Sequence, residues 1–179
     1  DIVCMQEYAG SETAKIHLSN KEIRQALKDY PYHNIKQVGK TGAGSQLACY
    51  SKFPILSARM LDYRSNYNGS MVYEIKIGKD TVLLINNHLE SNKLTREDKV
   101  VYEDMLKDPK AGKVKSGVRQ LVNKLAEASA IRSAQARTIA QEIAHSPYPS
   151  VIVCGDFNDS PISYAHRVIS QDMDDAFTE

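Results

Sequence analysis

Short apolar runs, each ended by glycine, proline or polar residues, recur along the chain and predict several β-strands with helical cover. Continuous apolar runs indicate buried strands, whereas alternating positions indicate a strand with one exposed face. The strands predicted in this way are residues 1–5, 35–38, 46–51, 54–61, 71–77, 81–87 and 151–154. A glycine-rich loop at 39–44 lacks the Lys-Ser/Thr ending of a phosphate-binding loop, which favours a plain hairpin connection.

Apolar residues at helical spacing predict four helices among these strands. Ser19 and Glu22 form a capping box, so the first helix is expected to begin there and to continue to about Tyr30. The others are residues 95–106, a long helix that ends near His145, and residues 162–169, with another element beginning at 173–177. The apolar face predicted for the long helix consists of Val118, Leu121, Val122, Leu125, Ala128, Ile139 and Ile143.

The order of these elements is strand and helix, then several strands, then helices, then a strand. No Gly-x-Gly-x-x-Gly turn is present. This order favours an α/β sandwich built on antiparallel or mixed sheets over a doubly wound parallel sheet. A polar, basic break is expected at 107–117, between two of the helices.

Composition excludes several classes of protein. A chain of 179 residues is long enough for one domain with a hydrophobic core, and no apolar run reaches the length of a membrane span. The net charge of +1 gives no overall preference for nucleic acid or acidic lipid. Residues 107–124 contain six basic side chains and one acid, which is typical of a solvated surface, although contact with an anionic polymer or headgroup is the alternative.

The three cysteines, Cys4, Cys49 and Cys154, lie within apolar strand-like runs. They lack the spacing of metal ligands. We therefore expect buried free thiols and no disulfide framework.

Polar side chains follow three of the predicted buried strands. Glu7 follows the first, His88 follows the strand at 81–87, and Asp156 and Asn158 follow the strand at 151–154. Carboxylate oxygens without thiolates suit Mg²⁺ or Mn²⁺ better than zinc. A buried Glu7 would need a cation, which a metal or a basic side chain would supply.

Asp156 and Asn158 are two residues apart, so in an extended chain both would point to the same side. The alternative is a polar Asx turn before Pro161.

Three segments resemble the endonuclease/exonuclease/phosphatase superfamily, which has the deoxyribonuclease I-like fold. They are Gln6-Glu7 after the first strand, Asn87-His88-Leu89-Glu90-Ser91, and Gly155-Asp156-Phe157-Asn158-Asp159, with support from residues 51–55 and 132–135. The order and spacing of these segments together carry the resemblance. The chain is most similar to a subgroup common in Bacteroidetes-type bacteria, whose members often carry membrane segments before the catalytic domain.

The resemblance implies an α+β fold, a four-layer α/β/β/α sandwich of two packed mixed or antiparallel sheets. In this chain the sandwich would be incomplete, a single-domain fragment over 1–179, truncated at both ends, with a helical insertion at about 93–117. Exposed sheet edges would then favour a dimer. Membrane association would depend on segments outside this chain.

The same resemblance implies a metal-dependent phosphoesterase. Glu7 would bind Mg²⁺ or Mn²⁺, Asp156 would orient or activate water, Asn158 would contact the phosphate, and His88 would hydrogen-bond its oxygens. Nucleic acid, a phospholipid headgroup and an inositol phosphate all remain candidate substrates. His145 and His166 have no matching neighbours and receive no role.

The family's upstream Asn, its Arg-Ile-Asp-type strand and its final Asp-His pair have no counterpart in this sequence. Residues 1–179 alone are therefore expected to show little or no turnover. The alternative to an enzyme is a non-catalytic binding or scaffold domain that retained the fold.

Overall fold

The computed structural model describes residues 1–9, 18–39, 45–63, 65–107 and 114–176. Eleven helices and strands lie within these ranges. They are β1 (Ile2–Tyr8), α1 (Asn20–Ala26), β2 (Tyr32–Gln37), β3 (Gln46–Ser51), β4 (Ile55–Met60), β5 (Gly69–Ile77), β6 (Asp80–His88), α2 (Arg96–Lys107), α3 (Val114–Ala144), β7 (Ser150–Asp156) and α4 (Tyr164–Ser170).

The strands form two sheets. The first has the order β1-β3-β2 and is antiparallel throughout. The second has the order β4-β5-β6-β7, in which β6 and β7 are parallel and the other pairs are antiparallel. A parallel pair needs a long crossover, and α2 and α3 provide it between β6 and β7.

Three apolar clusters hold four layers together. The cluster between the sheets contains Leu47 of the first sheet and Tyr73 and Leu84 of the second. A second cluster packs the other face of β5 and β6 against α3 and α4, with Ile139 and Ile169 among its members. In the third cluster, partly buried side chains of α1 cover the outer face of the first sheet. The predicted α/β/β/α sandwich is confirmed.

The local sequence signals are confirmed at several points. The capping box is present, since the Glu22 backbone N–H donates to the Ser19 hydroxyl and the Ser19 N–H donates to the Glu22 carboxylate. Helix α1 is shorter than predicted, because it ends at Ala26 and a turn follows. Each predicted strand is found, β3 with the predicted ends and the others with shifted ends. Residues 173–176 form no helix or strand, and 177 lies outside the described residues.

The predicted break before the long helix is partly wrong. Helix α3 already begins at Val114, so Gly117 is helical, and the segment at 108–113 lies outside the described residues. A Cβ at Gly117 would lie 3.0 Å from the Val101 side chain, so the missing side chain lets α2 and α3 approach closely.

The apolar face predicted for α3 needs one correction. Leu121 is buried, but Val122 is 54% exposed. Successive helical residues are rotated by about 100°, which turns Val122 away from the packed face. Lys124, from the basic segment, donates to Asp98 of α2 across 2.5 Å and so connects the two helices. Most of the glycine-rich loop at 39–44 is outside the described residues.

The three cysteines are free, as predicted, and their thiols lie together between the sheets. Contact with Cys154 lowers the pKa of Cys4, but contact with Cys49 and burial outweigh it and raise this pKa to about 12. Contact with Cys4 and burial also raise the pKa of Cys154. The thiols of Cys4 and Cys154 are therefore protonated at neutral pH.

Candidate active site

Three strand ends meet at the same edge of the sandwich. Glu7 lies near the end of β1 in the first sheet, and His88 and Asp156 end β6 and β7 in the second. His88 and Asp156 are register partners in the parallel pair. The Nε2 atom of His88 lies 3.8 Å from Glu7 Oε1 and 3.9 Å from Asp156 Oδ2. The structure therefore brings together three of the four residues selected from the sequence around one imidazole nitrogen.

Glu7 is held by an irregular end of β1. The register of β1 against β3 shifts between Met5 and Tyr8, and Glu7 has a φ of 50°, in the left-handed region that is uncommon for residues other than glycine. The bulge separates Glu7 from the regular alternation of the strand. Its side chain is 76% exposed, so the expectation of a buried Glu7 is wrong. An exposed Glu7 needs no cation to offset its burial.

His88 is oriented from its other nitrogen. Its side chain is only 5% exposed, and its Nδ1 lies 2.9 Å from the Ser45 hydroxyl. Because two carboxylates face Nε2, we place a proton there, and the Ser45 hydroxyl then donates to Nδ1. Ser45 was missed in the sequence, because it follows a glycine-rich loop and reaches His88 only through tertiary folding. Its backbone N–H is also fixed, by donating to the Tyr67 carbonyl.

Gly155 allows β6 and β7 to approach closely beside the site. Its φ is 137°, and a Cβ at this position would lie 2.0 Å from the Asn87 carbonyl oxygen. Asn87 is fully buried. Its Nδ2 donates to the Cys154 carbonyl across 3.0 Å, and its Oδ1 accepts from the Ser70 hydroxyl across 2.6 Å. These contacts fix the residues that precede His88 and Asp156 in their strands.

The chain turns directly after Asp156. Asn158 has a φ of 51°, and its backbone N–H donates to Asp156 Oδ1 across 2.9 Å, which forms an Asx turn. The extended geometry that would point both side chains to one side therefore does not persist. The Asn158 side chain instead donates through Nδ2 to the Leu89 carbonyl across 3.0 Å. This bond ties the loop after β7 to the loop after β6.

Arg132 of α3 joins the same two loops and is 4% exposed. Its Nε donates to Asp159 across 2.9 Å, while Nη1 donates to the Glu90 carbonyl and to Asn92. Gln135, one helical turn later, accepts from the Glu90 N–H across 3.0 Å. The sequence suggested these two helical residues only through the family resemblance, because their partners are far away along the chain.

Another buried amide joins the two sheets. Gln6 of β1 donates to Asn86 Oδ1 across 2.6 Å, and the Asn86 amide donates to the carbonyls of Met5 and Ala48. Asn86 belongs to the second sheet, and its three partners belong to the first. This bridge fixes how the sheets dock, so it also fixes the distance between Glu7 and His88.

The two carboxylates at this edge are candidate ligands for a divalent cation. Mg²⁺ commonly uses one or two protein carboxylates and retains several waters. Glu7 and Asp156 face a common point near His88 and are 76% and 48% exposed, which leaves room for water. Within the described ranges, no group of three or more His, Cys, Asp or Glu side chains is arranged to hold a metal. The two carboxylates are nevertheless oxygen donors of the kind that a hard, hydrated ion uses.

Comparison with known proteins identifies the family of the chain. The sequence profile described as "Endonuclease/Exonuclease/phosphatase family" matches residues 1–177. The chain belongs to this family. The family is named for enzymes that cleave phosphoester bonds. No curated protein sequence matches significantly.

Solved structures share the fold at low sequence identity. Sphingomyelinase C from Streptomyces griseocarneus is 19% identical with a TM-score of 0.60, over 96% of this chain and 56% of its own. Humanized D. rerio TDP2 is 15% identical with a TM-score of 0.53, over 98% of this chain and 55% of its own.

A third similar structure is a variant of beta toxin from Staphylococcus aureus with bound magnesium ions. It is 18% identical with a TM-score of 0.54, over 85% of this chain and 51% of its own. The chain thus spans about half the length of these proteins, and the likeness shows the deoxyribonuclease I-like fold. Among the helices that the structure describes, none is long and apolar enough to cross a bilayer.

Proposed function

We propose that the chain carries part of the active site of a divalent-metal-dependent phosphoesterase, which hydrolyses a phosphodiester or phosphomonoester by attack of water. The observation that supports this most directly is the position of His88 Nε2, within 4 Å of the carboxylates of Glu7 and Asp156. These groups come from three strands and both sheets. Membership of the family gives the reaction class.

His88 would stabilise the negative charge that develops on the phosphate oxygens. Its ring is buried and is held by Ser45, so Nε2–H is directed to the cleft. Because the ring is already fixed, the His88 side chain loses no further conformational entropy during the reaction. A fixed donor accelerates hydrolysis only if its bond strengthens as the charge grows. An oriented Nε2–H meets this requirement.

Asp156 would orient or activate the attacking water. Its carboxylate is 48% exposed, and Oδ1 accepts from the Asn158 N–H, which leaves Oδ2 on the side of His88. The Asn158 amide has two N–H groups, of which one bond to Leu89 is described, so a second N–H is suited to contact the phosphate. The bond to Leu89 keeps this amide in place.

Glu7, with Asp156 beside it, would hold Mg²⁺ or Mn²⁺. When bound, the cation would supply positive charge next to the phosphate oxygens. The irregular end of β1 presents Glu7 to solvent, where a hydrated ion can exchange. Glu7 therefore provides a test of metal binding that does not depend on turnover.

Calorimetric titration with Mg²⁺ tests the proposal against the alternative of a non-catalytic scaffold. We expect binding by the unaltered chain and at least about 100-fold weaker binding by Glu7→Gln. Glu103→Gln, an exposed carboxylate on α2, is the control and should bind normally. Equal Mg²⁺ binding by Glu7→Gln and the control would contradict the proposed metal site, and the absence of Mg²⁺ binding would favour the scaffold.

The substrate is tested by hydrolysis assays on the full-length protein with DNA, RNA, sphingomyelin and phosphoinositides. The structures with the same fold include a sphingomyelinase and a D. rerio TDP2 complexed with a single-strand DNA product. A phosphoester of nucleic acid, phospholipid headgroup or inositol phosphate is proposed accordingly. Loss of the Mg²⁺-dependent rate in His88→Ala is expected, and an unchanged rate would refute the role of His88.

Dimerisation and membrane association remain predictions. The outermost strands of the described sheets are β1 and β2 in one sheet and β4 and β7 in the other. A mass measured by light scattering that does not change with concentration and equals one chain would exclude the dimer. Membrane association would be tested by co-sedimentation of the full-length protein with vesicles.

A further inference from the structure

A histidine–aspartate pair lies behind the loop that follows β7. His166, in the first turn of α4, places Nε2 3.3 Å from Asp175 Oδ2. The side chains of His166 and Asp175 are only 20% and 22% exposed. The His166 ring contacts Phe157 in an edge arrangement, with ring centroids 6.3 Å apart and ring planes at 67°. Phe157 is the residue between Asp156 and Asn158.

We propose that His166 and Asp175 form a positioning pair that holds Phe157 and thereby fixes the turn from Asp156 to Asn158. This inference rests on the proposed function, since it assigns the pair to the site that Asp156 and Asn158 would form. The two residues are not among those proposed to contact the phosphate or the metal.

The turn depends on the position of its backbone. Asn158 is in the left-handed region, which asparagine adopts more readily than most residues other than glycine. Two hydrogen bonds hold it there, one within the turn and one from the Asn158 side chain to Leu89. Both depend on where the backbone between Asp156 and Asn158 lies. The side chain of Phe157 is the part of this segment that packs against the apolar cluster under α3 and α4.

The pair fixes the ring that Phe157 contacts. A cavity of about 340 Å³ is lined by residues of α4 and β7 together with Phe157 and His166. Apolar packing alone therefore leaves the His166 ring room to rotate. The bond between His166 and Asp175 restricts that rotation. The backbone of His166 is also anchored, because its N–H donates to the Ser163 hydroxyl at the start of α4. Asp175 thus orients His166, and His166 orients Phe157.

Amide hydrogen exchange measured by NMR on the unaltered chain and its variants tests this order of contacts. His166→Ala and Asp175→Ala should each speed exchange of the Asn158 N–H by about 10-fold or more, as expected for local opening. Exchange of the Ile85 N–H, in the centre of β6, should stay the same. Asp175→Asn retains an oxygen acceptor for Nε2–H and should restore the Asn158 rate to within about threefold of normal.

His33→Ala is the control, because His33 also contacts one aromatic ring, that of Tyr50 in the first sheet. It should leave Asn158 exchange unchanged. The proposal is overturned if Asn158 exchange rises no more than Ile85 exchange, if His33→Ala has the same effect, or if Asp175→Asn gives no restoration.

In the full-length protein, His166→Ala should lower kcat about 10-fold with little change in KM, since the turn positions the attacking water. An unchanged kcat in an active enzyme would contradict the proposal. If the enzyme shows no activity at all, the proposed function fails, and the exchange rates of Asn158 still decide the positioning role.

Discussion

Replacing Gly155 by alanine should destabilise the protein far more than the same change at Gly78. Both glycines have a positive φ, 137° for Gly155 and 61° for Gly78. A Cβ at Gly78 would meet no atom within 4 Å, whereas at Gly155 it would meet the Asn87 backbone at 2.0 to 2.7 Å. The two variants therefore separate the cost of the backbone angle from the cost of the contact with β6.

The magnitudes follow from these distances. Gly78→Ala should cost about 1 kcal/mol, the usual penalty for alanine in the left-handed region. In Gly155→Ala, alanine would have to adopt a φ that is essentially restricted to glycine, which lowers the free energy of unfolding by about 2 kcal/mol. Its Cβ would also contact backbone atoms, and only a shift of β6 or β7 can relieve this contact, which costs about 2 kcal/mol more. The total is about 4 kcal/mol.

Urea unfolding followed by circular dichroism would measure both free energies, and calorimetry should show Tm decreases of about 12 °C for Gly155→Ala and about 3 °C for Gly78→Ala. A Gly155→Ala variant within about 1 kcal/mol of Gly78→Ala would refute the reasoning. That result would mean that the two strands can separate at Asn87 without cost, and that the close approach does not define the site.

Three further predictions concern other contacts. Ser45→Ala should lower kcat about 10-fold, because His88 loses the group that orients its ring, and unchanged kinetics would exclude this role. Arg132→Leu should reduce the free energy of unfolding by about 3 kcal/mol, since it leaves a partly buried carboxylate unpaired, while the exposed Arg137→Leu should change it little; chemical denaturation would show the difference. The pKa of the Cys4 thiol is raised to about 12 from its ordinary value of 9.0. Alkylation of Cys4 at pH 8 should therefore be about a thousandfold slower in the folded chain than in the unfolded chain, and mass spectrometry would measure the two rates. Because the unfolded chain releases this proton first, the same shift predicts that stability falls as pH rises from 9 towards 12.

Local signals made much of the fold predictable. The capping box at Ser19 and Glu22 depends only on neighbouring residues, and it forms as expected. The apolar runs predicted every strand, although β2 is exposed along most of its length. The family resemblance then supplied the four-layer arrangement, which periodicity alone could not distinguish from other sandwiches.

The site was predictable only in outline. Strand ends indicated Glu7, His88 and Asp156, because a strand fixes where its last residue points. The exposure of Glu7 was missed, since a bulge breaks the alternation and leaves no mark in the local pattern. For Asn158 the sequence left an extended chain and an Asx turn open, and the turn forms as soon as the ladder to β6 ends. Ser45 was missed because its partner is 43 residues away.

The bridge between Gln6 and Asn86 has a consequence for how activity should be interpreted. Glu7 follows Gln6 directly, and His88 follows Asn86 by two residues, yet they belong to different sheets. Neither sheet alone contains the site. A chain with correctly formed but undocked sheets would show normal secondary structure and have no functional centre. Metal affinity that requires Glu7 would therefore report the docking of the two sheets. A variant that weakens this bridge should lose metal affinity before it loses the circular dichroism signal of its secondary structure.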